Sequence, residues 1–305
     1  MKQKITEIIK NTKAYNWLRH FLYSTCLKDY SGEFLNEYNA NEYIKDLINS
    51  NNPFMVSRLG STELSVLRSF KNNVDYNEKQ RETIQSLSGF FPVTTDNLNL
   101  FSEMYFKHIS NIDVLGIWMN PFEDVIANEY CENAFITKLR SLEPYFYSNP
   151  WTSALKDKKV LVVHPFNNSI EGQYKNRKLL FKDESVLPEF ELSTYQAVQS
   201  LGGDSDTYSS WFEALEGMQN DISKLDFDIA IIGAGAYGLP LASFIKKSGR
   251  SAIHLGGATQ LLFGVYGRRW EVKEDFKDII NENWVRPTEN EKPKAAKNVE
   301  NSCYW

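Results

Sequence analysis

Asp226-Phe227-Asp228-Ile229-Ala230-Ile231-Ile232-Gly233-Ala234-Gly235-Ala236-Tyr237-Gly238 is the stretch that decides the fold. Its continuous, β-branched apolar run is what a strand buried on both faces of a parallel sheet carries. The glycine-rich turn leads directly into Leu239 to Lys247, patterned as a helix, and Gly249 closes that helix at its C′ position. The spacing Gly233-x-Gly235-x-x-Gly238 suits a phosphate-binding turn, because missing side chains let backbone N–H groups reach an anion at the positive end of a helix. A phosphate-bearing ligand, a nucleotide, is the expectation. The alternative is that these glycines only permit tight packing of helix on strand.

The same strand, turn and helix unit recurs on either side. Upstream, Val160-Leu161-Val162-Val163-His164 is a second doubly buried strand, followed by the turn Pro165-Phe166-Asn167-Asn168-Ser169 and a helix carrying Ile170, Tyr174 and Leu179. A short strand at Phe190 to Leu192 and a helix from Trp211 to Ile222 come next. Downstream, Ser251 to Leu255 is a strand and Gly256-Gly257-Ala258 its turn. In the first half, Phe54-Met55-Val56-Ser57 reads as a strand that turns at Arg58-Leu59-Gly60-Ser61 into a helix from Thr62 to Phe70, with Ser61 as N-cap. Helices follow at Asn77 to Leu87 and at Asp96 to Ile109, the latter capped by Thr95 or Asp96. Val114 to Trp118 is a strand, and helix continues through Glu129 to Leu139. Repeated units of this kind predict an α/β fold with a doubly wound, mostly parallel Rossmann-like sheet. The expected organisation is a helical N-terminal region over 1–50, the Rossmann-like domain over 51–285, and a mobile tail over 286–305 pinned by Tyr304 and Trp305.

Composition narrows the function. The chain has 305 residues, 42% hydrophobic and 24% charged, which is ordinary for a globular protein, and a formal net charge of -5. An acidic balance gives no electrostatic ground for duplex nucleic acid, so none is expected as a partner. Cys26, Cys131 and Cys303 stand far apart with no CxxC, which argues against a disulfide framework or structural zinc and fits a reducing cytoplasm. No run approaches the ~20 apolar residues that span a bilayer, and Met1-Lys2-Gln3-Lys4 is not followed by a signal-peptide core, so a cytoplasmic protein is expected. Ile5 to Cys26 has the spacing of an amphipathic helix with Lys4, Lys10, Lys13 and Arg19 along it. It either docks on its own domain or holds the protein at a membrane surface.

Several residues stand where chemistry can occur. Ligands of open α/β sheets bind at the carboxyl ends of the strands, and there the sequence places His164-Pro165-Phe166, Arg58-x-Gly60-x-x-Glu63 and Gly256-Gly257. His164 can donate to a diphosphate or act as an acid or base. Arg58 can meet phosphate charge, Gly60 permits close approach, and Glu63 can serve as a base or metal ligand. Gln260, Arg268 and Arg269 follow the last glycine turn and could wrap the ligand from the other side. Asp204-Ser205-Asp206 has the form of a metal-holding DxD, although Gly202-Gly203 before it favours an ordinary turn. Against NAD or FAD, the strand after the Gly233 turn ends at His254 where an acid should hold the ribose, and too little chain remains for a second mononucleotide half.

Together, Arg58-Leu59-Gly60-Ser61-Thr62-Glu63, His164-Pro165-Phe166, Trp211-Phe212-Glu213-Ala214-Leu215 and the run from Gly233 through His254-Leu255-Gly256-Gly257 to Arg268-Arg269-Trp270 resemble the GT-D type of bacterial glycosyltransferase-like domains. The resemblance covers roughly Asn51 to Trp270. It implies a transferase using a UDP-sugar with Mn2+ or Mg2+ and an Asp-x-Glu motif after an Arg-x-Gly turn. Here Ser61 stands at the Asp position, while Glu63 retains the Glu and is the candidate metal ligand.

The resemblance thus implies transfer of sugar from a nucleotide donor to a glycan, lipid-linked or protein acceptor in surface polysaccharide or glycoprotein synthesis; peripheral association with the inner face of a membrane is a further expectation. Glu63 and His164 are the candidate catalytic residues. Arg58, Gly60, Ser61, Pro165, Phe166, Gly233, Ala234, Gly235, Tyr237, Gly238, His254, Gly256, Gly257, Gln260 and Arg268 are the candidate binding residues. A dinucleotide-dependent nucleotide-sugar oxidoreductase is the rival reading. A non-catalytic nucleotide-binding subunit is the third, motivated by Ser61.

Overall fold

A computed structural model describes residues 27–200, 207–271, 273–292 and 304. Among them, seven strands form one sheet: β1 (Met55–Arg58), β2 (Val114–Ile117), β3 (Phe135–Lys138), β4 (Lys159–His164), β5 (Glu191–Gln196), β6 (Ile229–Ile232) and β7 (Ser251–His254). Their spatial order is β3-β2-β1-β7-β6-β4-β5, and every neighbouring pair is parallel. The chain winds outward from β1 to β3, crosses to the other side and returns inward to β7, which pairs with β1. All strand ends that carried candidate residues therefore point one way.

The two-residue period of each strand divides the core. Met55, Leu115, Leu161, Val163, Ala230 and Ile232 pack on one face, and Val56, Val114, Val160, Val162, Ile229 and Ile231 on the other. The first face is covered by α2 (Ser61–Lys71), α3 (Glu78–Ser88), α4 (Thr95–Ile109), α5 (Glu123–Tyr130), α7 (Trp211–Ser223) and α8 (Gly238–Lys247). The second is covered by α1 (Glu37–Asn49), α6 (Asn167–Tyr174), α9 (Ala258–Leu262) and α10 (Arg268–Glu271), together with buried Trp151 and Trp284. Helices on both faces bury the strands on both sides, which is why their sequences are runs rather than alternations.

Four expectations change. Phe135 to Lys138, read as helix, is strand β3: α5 stops at Tyr130, and Ile136 is buried by pairing with β2 on one side and bridging Phe34 on the other. The N-cap of α2 is Gly60, so Ser61 is the first helical residue and caps nothing. Thr94, not Thr95 or Asp96, caps α4 by accepting from the Asn97 N–H. The stretch Arg286 to Lys292, assigned to a mobile tail, is docked: Glu291 is buried and accepts from the Ser169 and Thr288 N–H groups at 3.0 and 3.1 Å. In the N-terminal region, α1 joins the second core face through Ile44 and Ile48. The helix expected over Ile5 to Cys26 and the Asp204-Ser205-Asp206 triplet lie outside the described residues. No helix of the described residues is long and apolar enough to cross a membrane.

Candidate active site

The carboxyl ends of β1, β2, β4, β6 and β7 surround a cleft of about 270 Å³. One wall is the β1 turn with Arg58, Gly60, Ser61, Thr62 and Glu63. Opposite it stand His164, Pro165 and Phe166 after β4. Gly233, Ala234, Gly235 and Tyr237 form the floor, and Gly256, Gly257 and Gln260 close the side beside Arg269 and Tyr304. Segments separated by some two hundred positions thus meet, because a parallel sheet puts every strand-to-helix turn on the same edge.

Arg58 carries the positive charge of the cleft wall. Its guanidinium carbon lies 4.4 Å from the centroid of the Trp118 ring, and its Nη1 is 3.2 Å from where a Cβ on Gly256 would be. Among the described residues no carboxylate pairs with it, and its Nε is buried without a hydrogen-bond partner. A cation held this way costs desolvation energy that an anion in the cleft would recover. Beside it, α2 begins at Gly60 with no side-chain cap hydrogen bond, so no N-cap side chain satisfies the N–H groups of its first turn.

Glu63 is 6% exposed and is the only carboxylate that lines the cleft among the described residues. Its Oε2 accepts from the Thr62 hydroxyl at 2.9 Å, and Thr62 bonds in turn to Ser88 Oγ at the end of α3. The carboxylate lies over Gly60. For a divalent ion the described residues offer this one carboxylate in the cleft: no group of three metal-ligating side chains comes together among them, and Ser61 adds only a hydroxyl. The described residues by themselves do not make a metal cage.

His164 is 4% exposed, and burial pushes its imidazole down to about 3. Its Nδ1 accepts from the Phe166 N–H at 3.0 Å, which leaves the proton of the neutral ring on Nε2. Of the two expected roles, donor to a diphosphate and acid or base, the neutral ring with its proton on Nε2 suits the donor. His254 also changes role. It is buried beneath the floor, Nδ1 is 3.0 Å from Ser57 Oγ, and burial with the nearby Arg58 charge pushes it down to about 3.

The glycines divide between ligand and packing. Gly233, Ala234 and Gly235 face the cleft, and Gly235 adopts φ +52°. Gly238, assigned to the phosphate turn, does not line it: a Cβ there would fall 2.4 Å from His254 Nε2, so its job is to let α8 approach that ring. Tyr237 stacks on Trp211, with ring centroids 5.0 Å apart, and its hydroxyl bonds to Ser200 at 2.8 Å. Arg268 is exposed outside, and Arg269 is the arginine that reaches the cleft, donating to the Tyr304 hydroxyl at 2.9 Å.

Sequence reasoning missed Trp118, Thr62, Ser88, Gly89, Val198, Gln199 and Ser200. Trp118 follows β2 and was open to the same strand-end rule that found His164. Ser88 and Gly89 are presented by the end of α3, which no local pattern marks as near the site.

Comparison with solved structures finds two that are similar at low identity. One is described as the highly conserved domain of unknown function 1792 with a distinct glycosyltransferase fold; it is 13% identical over 78% of this chain and 83% of its own, with a TM-score of 0.39. The other, a selenomethionine form of domain of unknown function 1792, is 12% identical over 86% and 98%, with a TM-score of 0.38. No family model and no curated protein matches the chain. What the cleft can do follows from its own residues.

Proposed function

We propose that the cleft binds a nucleotide sugar, UDP-linked, by its diphosphate and transfers the sugar to a hydroxyl of a glycan, lipid-linked or protein acceptor. The observation that carries this is the Arg58 guanidinium, held in the cleft with no carboxylate partner among the described residues, beside the uncapped start of α2. Arg58, the first-turn N–H groups of α2 and the Gly233 to Gly235 turn hold the diphosphate, and His164 donates from Nε2 to one of its oxygens. Glu63 takes the proton of the acceptor hydroxyl as that oxygen bonds to the anomeric carbon. The bond from that carbon to the diphosphate oxygen breaks, and its electron pair leaves with the diphosphate. Fixed donors at the leaving group matter most, since charge develops there. A Mg2+ or Mn2+ ion would take Glu63 as one ligand and draw the rest from phosphate and water, as Mg2+ commonly does. A lipid-linked acceptor would bring the protein to the cytoplasmic face of a membrane in surface polysaccharide or glycoprotein synthesis.

A thermal-shift panel of UDP, GDP and UDP-sugars, with and without Mg2+ or Mn2+, tests this, since a ligand that binds only the folded state raises its apparent stability. UDP and UDP-sugars are expected to raise the melting temperature of the wild type and to raise that of Arg58→Ala distinctly less at the same ligand concentration. No shift with any nucleotide would overturn the reading, and a flavin or nicotinamide spectrum in the purified protein would replace it with the oxidoreductase.

A further inference from the structure

We infer that Glu123 is a positioning residue that fixes Trp118 as the platform for Arg58. Glu123 is fully buried on the first turn of α5. Its Oε2 accepts from three consecutive backbone N–H groups, Trp118 at 3.2 Å, Met119 at 2.7 Å and Asn120 at 3.2 Å, and from the Tyr30 hydroxyl at 3.1 Å. The three N–H groups belong to the connection between β2 and α5, where Met119 and Phe122 take left-handed conformations of φ +61° and +75°, while Tyr30 reaches in from before α1. Non-glycine residues hold such φ values only where the surroundings over-determine them. The carboxylate supplies that determination.

The consequence falls on the cleft. The clamped loop aims Trp118 so that its Nε1 donates to the Leu59 carbonyl at 2.7 Å, while Asn120 reaches the same oxygen at 3.5 Å. The indole thereby lies against the residue between Arg58 and Gly60, with the guanidinium over its ring. A ring face attracts a cation without consuming its hydrogen-bond donors. A carboxylate in the same place would neutralise the arginine and occupy its donors. Glu123 makes no ion pair among the described residues, so its influence on Arg58 runs through the backbone and the indole. The β2–α5 connection is the fastener of the Arg58 platform.

The test reads Arg58 directly, by the NMR cross-peak of its Nε–Hε group in the full chain. The indole ring current displaces this peak in the wild type. Trp118→Ala is expected to return it to the position of a solvent-exposed arginine, and Glu123→Ala to do the same, while Glu123→Gln, which keeps an acceptor oxygen, leaves it displaced. Where Glu123→Ala fails to fold, Glu123→Asp withdraws the carboxylate by one methylene with the charge retained, and the same return is expected. An unmoved peak in Glu123→Ala or Glu123→Asp overturns the inference.

Its functional side rests on the nucleotide-sugar reading and is measured by UDP affinity. Glu123→Ala is expected to weaken UDP binding about tenfold or more, and to cost nothing further in an Arg58→Ala background. If UDP binds the wild type and the cost persists undiminished without Arg58, the positioning role fails while the function stands. If UDP binds no form while the Arg58 peak behaves as expected, the function fails and the positioning role stands.

Discussion

The Glu63 carboxylate occupies the space that a side chain at Gly60 would need: a Cβ built on Gly60 would lie 1.7 Å from Glu63 Oε2. Gly60 has φ -76°, a conformation open to any residue, so nothing about its backbone requires glycine. The requirement comes from the carboxylate three positions on, which folds back over the helix start.

Gly60→Ala should therefore displace Glu63 without unfolding the protein. If Glu63 is the base, sugar transfer falls by roughly 10²-fold or more, the usual contribution of a positioned general base. Steady-state transfer measured beside a melting curve checks this. Retained activity would remove Glu63 from the reaction.

Arg58→Ala should weaken UDP and inorganic pyrophosphate alike by about 10- to 100-fold, the size of lost charge-assisted hydrogen bonds. Arg58→Lys keeps the charge, yet a compact ammonium cannot reproduce a planar fork seated on an indole, so it should recover only part of the affinity. Titration calorimetry of both variants against both probes separates charge from geometry.

Gly238→Ala and Gly235→Ala should part company. At Gly238 the added methyl meets His254, and overpacking there should cost about 1–3 kcal/mol of stability with UDP affinity nearly kept. At Gly235 the nearest atom is 3.5 Å away and the cost is conformational, about 1–2 kcal/mol for the left-handed residue, in a turn that faces the cleft. Loss of affinity should therefore follow Gly235. Urea denaturation combined with UDP titration distinguishes them.

The histidines predict the acid limb. Burial pushes His164 and His254 down to about 3 and His108 to about 4, so below about pH 6.5 the unfolded chain binds protons that the folded chain refuses. Stability contributed by each is present above that pH and is lost on acidification, by about 1.4 kcal/mol per pH unit per group until its folded value is reached. Glu123 and Glu143, pushed up to about 7 by burial, act in the opposite sense between 4.5 and 7. Unfolding free energy should thus fall by about 1.4 kcal/mol per pH unit from 6.5 to 4.5, three histidines against two glutamates, and more steeply just below, where the glutamates no longer compensate. UDP binding should show no inflection from His164 near 6.5, because that ring stays neutral.

Much of this was legible in the chain because its signals are local. A doubly buried strand needs an unbroken apolar run, and a phosphate-type turn needs small residues at fixed spacing, so β1, β4, β6, β7 and the turns after them could be placed. Strand β3 could not: Phe135 to Lys138 is a strand because β2 and Phe34 flank it, and four residues carry too little periodicity to say so. Arg268 and Arg269 are chemically the same, and only the direction of α10 chooses between them.

The sequence by itself determined an α/β chain whose polar and glycine residues gather at strand ends, since period and turn chemistry act over a few residues. Tertiary structure alone decided what each does. Ser57 and His254 meet across 197 positions, Tyr237 and Ser200 across 37, and Trp118 reaches Leu59 across 59. Burial and hydrogen-bond partners come from such encounters. They made His164 a neutral donor, turned Gly238 into a packing glycine and left Arg58 facing the cleft with no carboxylate partner among the described residues.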